Sequence, residues 1–478
     1  MSQNTSKLKP SNTLRYIIAF SYDSDSLSFE DLCSTLEKNG TWLSSDLWFK
    51  GIEQDLYDYI LDQFSPRSDR TNIGTAWLYK EVPSLPSISY HISFPGHRDK
   101  VFNLSFSDMG LFLFRSKIGL LWYEIDAPDF ADVSDLIWFQ NAFKELNLER
   151  NLQRFYRLSK DGTEEPFHMG LFLDSIIRQL PCDIRYFAQR KSFVENKDIH
   201  GNNLPVPDKA VLFTYMSCQS ETDDVEDHDT DLISWTYNLT GGHSPRHMIP
   251  DNIEKDYYHP FRNVYWNITN EGCACCAKYA SKNSTFFSDH FITRFRHDYF
   301  FIYIILLHQS YSLLNYSTWI EKQLPADKSE YISYAEINRQ KVELLLLSMN
   351  TFLSKNIYAS VSHIQHHNDF YSYGVNRLRI RDSAESLNLG TDAIREILEV
   401  HENRREAADD SNRNYLFGVL SILIVFSALT DANSLFDIPH DQRMSNPLYW
   451  IVMVFIVILC LSTVIKLLRM AWKRRKKD

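Results

Sequence analysis

Two uncharged apolar runs lie close together near the C-terminal end, and they constrain this chain more than any other feature. Residues 415–429 read YLFGVLSILIVFSAL, and residues 448–465 read LYWIVMVFIVILCLSTVI. A membrane-spanning helix needs about 20 apolar residues, with a lower bound near 17. The second run reaches that bound alone. The first reaches it by extending into residues 412–414 or toward Asn433. The pair predicts a two-helix transmembrane hairpin: a first helix over 415–435, an outer loop over 436–447 and a second helix over 448–468. A basic tail follows over 469–478. Burial of either run in a soluble core is the alternative, and the charge pattern around the runs argues against it.

That charge pattern is uneven. The 478 residues include 50 Lys+Arg against 61 Asp+Glu, a formal net charge of −11. Residues 466–478 hold seven basic residues and one acid, a net of +6, so the other 465 residues carry −17. General nucleic-acid binding needs cations to neutralise phosphates, and this balance argues against it. The tail, with Lys466, Arg469, Lys473, Arg474, Arg475, Lys476 and Lys477, is expected inside by the positive-inside rule. Arg404, Arg405 and Arg413 precede the first run, while the segment between the runs holds Asp431, Asp437 and Asp441 with only Arg443. The expected topology is multi-pass in the inner (plasma) membrane with both termini cytoplasmic. The polar N-terminus lacks an apolar signal segment.

The rest of the chain divides in two. Strand-like runs at 14–20, 75–79, 89–94, 117–125, 183–188 and 210–215 are rich in Tyr, Phe, Ile and Val. Helix-like stretches at 132–146 and 167–180 lie between them. We read 1–290 as a mixed α/β cytoplasmic domain. From 291 to 414 the pattern is helical, a stalk with no proline from 327 to 437 that runs directly into the first apolar helix. Residues 299–307 (YFFIYIILL) are too few to span and read as a buried helix. The polar segment 402–410 is not a stable lone helix and calls for neighbours. The expected fold class is thus α+β: an α/β domain, a helical stalk and a transmembrane hairpin, assembled as an oligomer.

Several constellations bear on chemistry. Asn414, Gly418, Ser421, Val425, Ala428 and Ala432 recur at 4-3-4-3-4 spacing, all polar, small or short. Such a stripe lines a narrow pore around a symmetry axis, or packs helices closely. Asp431 and Asn433 stand at its outer end as candidate mouth residues, with Asp431 a possible metal contact. Residues 221–231 hold seven carboxylates; Asp227, Asp229 and Asp231 match part of a calcium loop, but Leu232 stands where its glycine should be and Asn238 where its glutamate should be. A solvated acidic loop is the favoured reading. Cys273, Cys275 and Cys276 with His290 offer sulfur and nitrogen donors at an unusual spacing for zinc. His363, His366 and His367 cluster without a clear metal geometry. Gly241, Gly242, His243, Arg246 and His247 could cradle a nucleotide or form a plain loop. No phosphate-binding, hydrolase or dinucleotide fingerprint occurs, so no enzyme is expected.

The order of elements resembles the CorA-type two-span metal-ion channels. These carry Gly-Met-Asn at the outer end of the first of two C-terminal helices, then a proline and the second span. Asn433 matches the asparagine and Pro439 the proline, while Asp431 and Ala432 replace the glycine and methionine. The resemblance implies a homopentamer that passes Mg2+ or another divalent cation, with Asn433 in the selectivity ring. A branch of that superfamily is associated with type III CRISPR systems, where a nucleotide second messenger acts on the cytoplasmic part. The large soluble region and altered signature resemble that branch and imply a ligand-gated antiviral defence effector. Housekeeping magnesium transport, or a membrane-anchored sensor or scaffold without transport, are the alternatives.

Overall fold

The computed structural model describes residues 11–23, 28–44, 55–64, 72–92, 100–126, 130–147, 153–158, 163–191, 204–220, 229–244, 247, 256–280, 285–323 and 328–435, with ten positions between 447 and 465. The chain forms two compact units. Unit 1 comprises Met1–Leu324 and Gln340–Asn388; unit 2 comprises Pro325–Arg339 and Leu389–Asp478.

Unit 1 is built on a thirteen-stranded, almost wholly antiparallel sheet. At its centre lie β1 (Ser11–Asp23), β5 (Lys100–Phe114), β6 (Ile118–Asp126) and β12 (Val211–Gln219). β1 pairs antiparallel with both β6 and β12, and β12 pairs parallel with β15 (Gly272–Tyr279). Strand side chains alternate faces, and both faces are covered here. On one face Ile17, Trp122, Phe213 and Trp266 pack against the helical run from Phe286 to Gln323, whose final part is α5 (Phe300–Gln323). On the other, Tyr16, Leu121, Tyr123 and Leu212 pack against α2 (Val133–Phe143), α3 (Met169–Ile177) and α4 (Thr230–Gly241). A shorter α1 (Phe29–Asn39) begins with a capping box, Ser28 with Asp31. Residues 299–307 are buried inside the helical run, as their length and apolarity predict.

Three further helices follow: α6 (Lys328–Asn356), α7 (Gln365–Arg377) and α8 (Ile380–Leu435). α8 is one uninterrupted helix of 56 residues, about 84 Å at 1.5 Å per residue. Its first turns bury Ile380, Ala384 and Leu387 in the core of unit 1.

The C-terminal half of the expected architecture is corrected. Among the described residues, no helix is long and apolar enough to cross a membrane. The described part of α8 from Asp392 to Arg413 carries Asp392, Arg395, Glu396, Glu399, Glu402, Glu406, Asp410 and Arg413, charges that a bilayer interior does not accept. The fold class is therefore mixed α/β with a large sheet and helices; among the described residues nothing supports a transmembrane hairpin, and the multi-pass localisation in the inner membrane is withdrawn with it. The outer loop (436–447, apart from Pro447) and most of 448–468 lie outside the described residues, as does the tail.

Candidate functional site

The most built feature of unit 1 is the turn between β5 and β6. The two strands pair up to Phe114 and Ile118, leaving Arg115, Ser116 and Lys117 as a three-residue loop. Lys117 N–H donates to Phe114 O at 2.9 Å, and Lys117 adopts a positive φ of 64°. Three-residue hairpin loops commonly close with a left-handed residue, and glycine usually takes that place. A lysine there costs roughly 1 kcal/mol. Strain of this kind collects at functional sites. The turn is tied from both sides: Arg115 N–H donates to Ile73 O (2.9 Å), Tyr22 N–H to Lys117 O (3.0 Å) and Tyr22 OH to Phe114 O (2.5 Å).

Each loop side chain is also placed. The Arg115 guanidinium lies over Phe29 at 4.7 Å, donates to Asn72 Oδ1 at 2.8 Å and pairs with Glu30 at 2.8 Å. Ser116 Oγ lies 2.8 Å from His308 Nε2 and accepts from Ser312 Oγ at 2.8 Å. Lys117 Nζ pairs with Asp23. Two cavities of about 260 and 360 Å³ open beside the loop and share Arg115, Ser116, Tyr316 and Ser348. Lys355 and Asn356 line the first; Lys117, Arg185 and Trp319 line the second. The smaller lies just below, and the larger within, the range for small-molecule sites.

The Ser116–His308 pair has the look of a nucleophile and base, but its chemistry is different. His308 is buried and stacked on Phe114, with ring centroids 3.8 Å apart. Burial pushes its pKa down to about 3. A neutral imidazole that weakly basic does not activate a hydroxyl. The hydrogen bond holds Ser116 in place on the wall shared by the two cavities.

A second polar constellation is enclosed except at Arg294, whose side chain is half exposed. Arg294 pairs with Asp55 and, at 2.9 Å, with Asp298. His367 Nε2 lies 4.0 Å from Asp298, and its Nδ1 lies 3.2 Å from Ser362 Oγ. Burial raises the Asp298 carboxyl to about 6 and lowers His367 to about 3. Ser362 and Asp298 are both 0% exposed, so no substrate reaches them, and the group clamps three segments together. π-turns at Phe286–His290 and Phe295–Tyr299 set this helix register. They also bring Arg296 to Glu124 at 2.8 Å, beside the buried pair Arg15–Glu124 at 2.6 Å.

The residues singled out in the sequence fall elsewhere. Asn414, Gly418, Ser421, Val425, Ala428, Asp431, Ala432 and Asn433 are all helical positions of α8. Of these, only Gly418 and Ser421 have described side-chain surroundings: Gly418 is half-buried, and exposed Ser421 donates to Phe417 O at 2.7 Å. Cys273, Cys275 and Cys276 sit in β15 as core side chains, 0% exposed, alternating between the two faces of the sheet. Burial pushes the Cys276 thiol to about 12, so these are not poised metal thiolates. His290 is exposed on a π-turn. Among the described residues no cluster of three His, Cys, Asp or Glu side chains is arranged to hold a metal.

Asp229 caps α4, accepting from Asp231 N–H and Leu232 N–H, and pairs with Lys278 at 2.6 Å. Asp227 and the rest of 221–228 lie outside the described residues, as does Arg246. Gly241 and Gly242 end that helix, with Gly242 in the left-handed C-cap position. His243 and His247 stack at 4.4 Å. His363 packs on Tyr57 and His366 on Phe261, while His367 turns inward, so the three histidines do not converge.

Sequence reasoning missed the Arg115–Lys117 loop. Its signal was the RSK tripeptide between two apolar strands, and the notion of a strand beginning at Lys117 concealed it. The chain matches no family model, no curated protein and no solved structure.

Proposed function

We propose that this chain is a ligand-responsive effector that works as a homo-oligomer, with unit 1 receiving a small ligand and α8 carrying the response. The observation that carries this reading is α8 itself: one helix rooted in the apolar core of unit 1 at Ile380, Ala384 and Leu387 and continuing to Leu435. A helix this long and this polar in its middle needs neighbours, and copies of the same chain supply them most simply. A ligand that binds one arrangement of unit 1 better than another shifts the assembly by that difference in affinity.

The CorA-type resemblance supplies the output to test first, passage of Mg2+ or another divalent cation past Asp431 and Asn433 in the last turns of α8. A pentamer, a nucleotide second messenger as ligand and a role in type III CRISPR defence are the further expectations of that resemblance. Magnesium transport without a ligand is the rival, and a sensor without transport is the second.

The test is divalent-cation flux into vesicles carrying the full chain, with and without nucleotide ligands. Ligand-dependent flux that is altered in Asn433→Ala, with assembly intact, supports the effector reading. Flux set by magnesium alone turns it to transport. A ligand-dependent change in assembly without flux leaves the sensor.

A further inference from the structure

We infer that the two joined cavities around the β5–β6 turn form one binding site for a small phosphate-bearing ligand. This rests on the reading of unit 1 as the receiving unit and names what it receives. The first argument is electrostatic. Apart from its tail the chain carries −17, yet the cavity walls bring together Arg115, Lys117, Arg185 and Lys355 against Asp23 and Asp183, with Glu30 paired to Arg115. A local excess of cations inside an acidic protein concentrates anions at that point. Arg115 is held in place by Asn72 at Nε and Nη2, by Glu30 at Nη1 and by the Phe29 ring, and the remaining guanidinium N–H groups suit phosphate oxygens.

The second argument is conformational. Lys117 occupies a left-handed backbone position where glycine would be cheaper. That placement puts a cation, paired with Asp23, on the wall of the larger cavity. The third is hydrogen bonding. Ser116 is held at the shared wall by Ser312 and His308, while Ser348 and Thr351 line the opposite helix. Asn356 Oδ1, on the same cavity, is buried with no hydrogen-bond partner. Half-buried Trp319 offers a flat apolar face to the non-phosphate part of the ligand.

The experiment is calorimetric titration of the full chain with inorganic pyrophosphate, and with malonate as a dicarboxylate comparison. Pyrophosphate is expected to bind, to weaken as salt rises, and to bind at least tenfold more tightly than malonate. Lys117→Gly and Lys355→Met are each expected to lower pyrophosphate affinity at least tenfold. Lys117→Gly relieves the left-handed strain, so its melting temperature should stay level or rise, which separates lost binding from lost folding. No pyrophosphate binding at millimolar concentration, equal binding of malonate, or full affinity in Lys117→Gly would each overturn the assignment. The readout is binding alone, so a failure here is distinct from an absence of flux or of assembly change.

Discussion

Unit 1 and unit 2 treat their apolar side chains in opposite ways. In unit 1 the largest are inside: Trp77, Trp122 and Trp266 are at most 1% exposed, amid a dense set of Tyr and Phe rings. In unit 2, Leu416, Phe417, Trp450, Ile451 and Phe455 are 51–68% exposed. Burial of such groups stabilises by about 1.5–3 kcal/mol each, so unit 1 carries within one chain the driving force for its own fold. Unit 2 holds apolar surface that one chain leaves uncovered, and large exposed apolar surface marks an interaction site. The difference teaches that unit 1 covers its own apolar side chains, whereas unit 2 leaves large ones exposed at its described positions.

The comparison is most easily broken at the core of unit 1. Trp266→Ala removes a ring that packs on Phe295, Tyr299 and Phe370 within 5.6 Å. It is expected to cost about 3–5 kcal/mol in urea unfolding followed by circular dichroism. A loss below about 1 kcal/mol would mean that this sheet face is not the folding core.

Acid sharpens the picture next. His308 and His367 sit near 3 when folded, below the ordinary 6.5, because burial disfavours their charged forms. The unfolded chain therefore binds their protons first. Their contribution is complete above pH 6.5 and is lost as pH falls toward 3. Asp298, raised to about 6 by burial, works in the opposite sense: its ionisation weakens the fold as pH rises from about 4 to 6. Chemical unfolding across pH 4–7 should show a net decline toward acid. His308→Gln is expected to flatten that decline by about 2 kcal/mol, and Asp298→Asn to steepen it. A slope unchanged in both variants would place the titrating groups elsewhere.

The smallest effect is expected in unit 2. Leu416→Ala should alter unfolding by no more than about 0.5 kcal/mol, as at other exposed positions, while reducing self-association in sedimentation. A core-sized loss of stability at Leu416 would erase the contrast between the units.

Much of unit 1 was legible along the chain. The runs at 14–20, 75–79 and 210–215 lie within β1, β3 (Gly74–Tyr79) and β12 or one residue of it, because buried strands rich in Tyr, Phe, Ile and Val announce themselves locally. The run 299–307 also read correctly as a buried helix. β5 did not announce itself: half of it alternates with polar residues, as in NLSFSDM, and it gains its partners from β3, β4 (Ile88–Ile92) and β6. The cysteine cluster misled because metal ligands and small core side chains use the same residue, and only the alternation of β15 across two faces separates them.

Composition and periodicity determined where strands and helices form, since those preferences act between near neighbours. They also determined that α8 runs unbroken, there being no proline to stop it. The tertiary structure alone decided which cations meet. Arg115 and Lys117 lie on one turn, Arg185 on β9 (Asp183–Tyr186) and Lys355 near the end of α6, and only the folded sheet and its covering helices bring them to adjoining cavities. Contacts across more than two hundred residues depend on chain closure and packing, which no local pattern encodes.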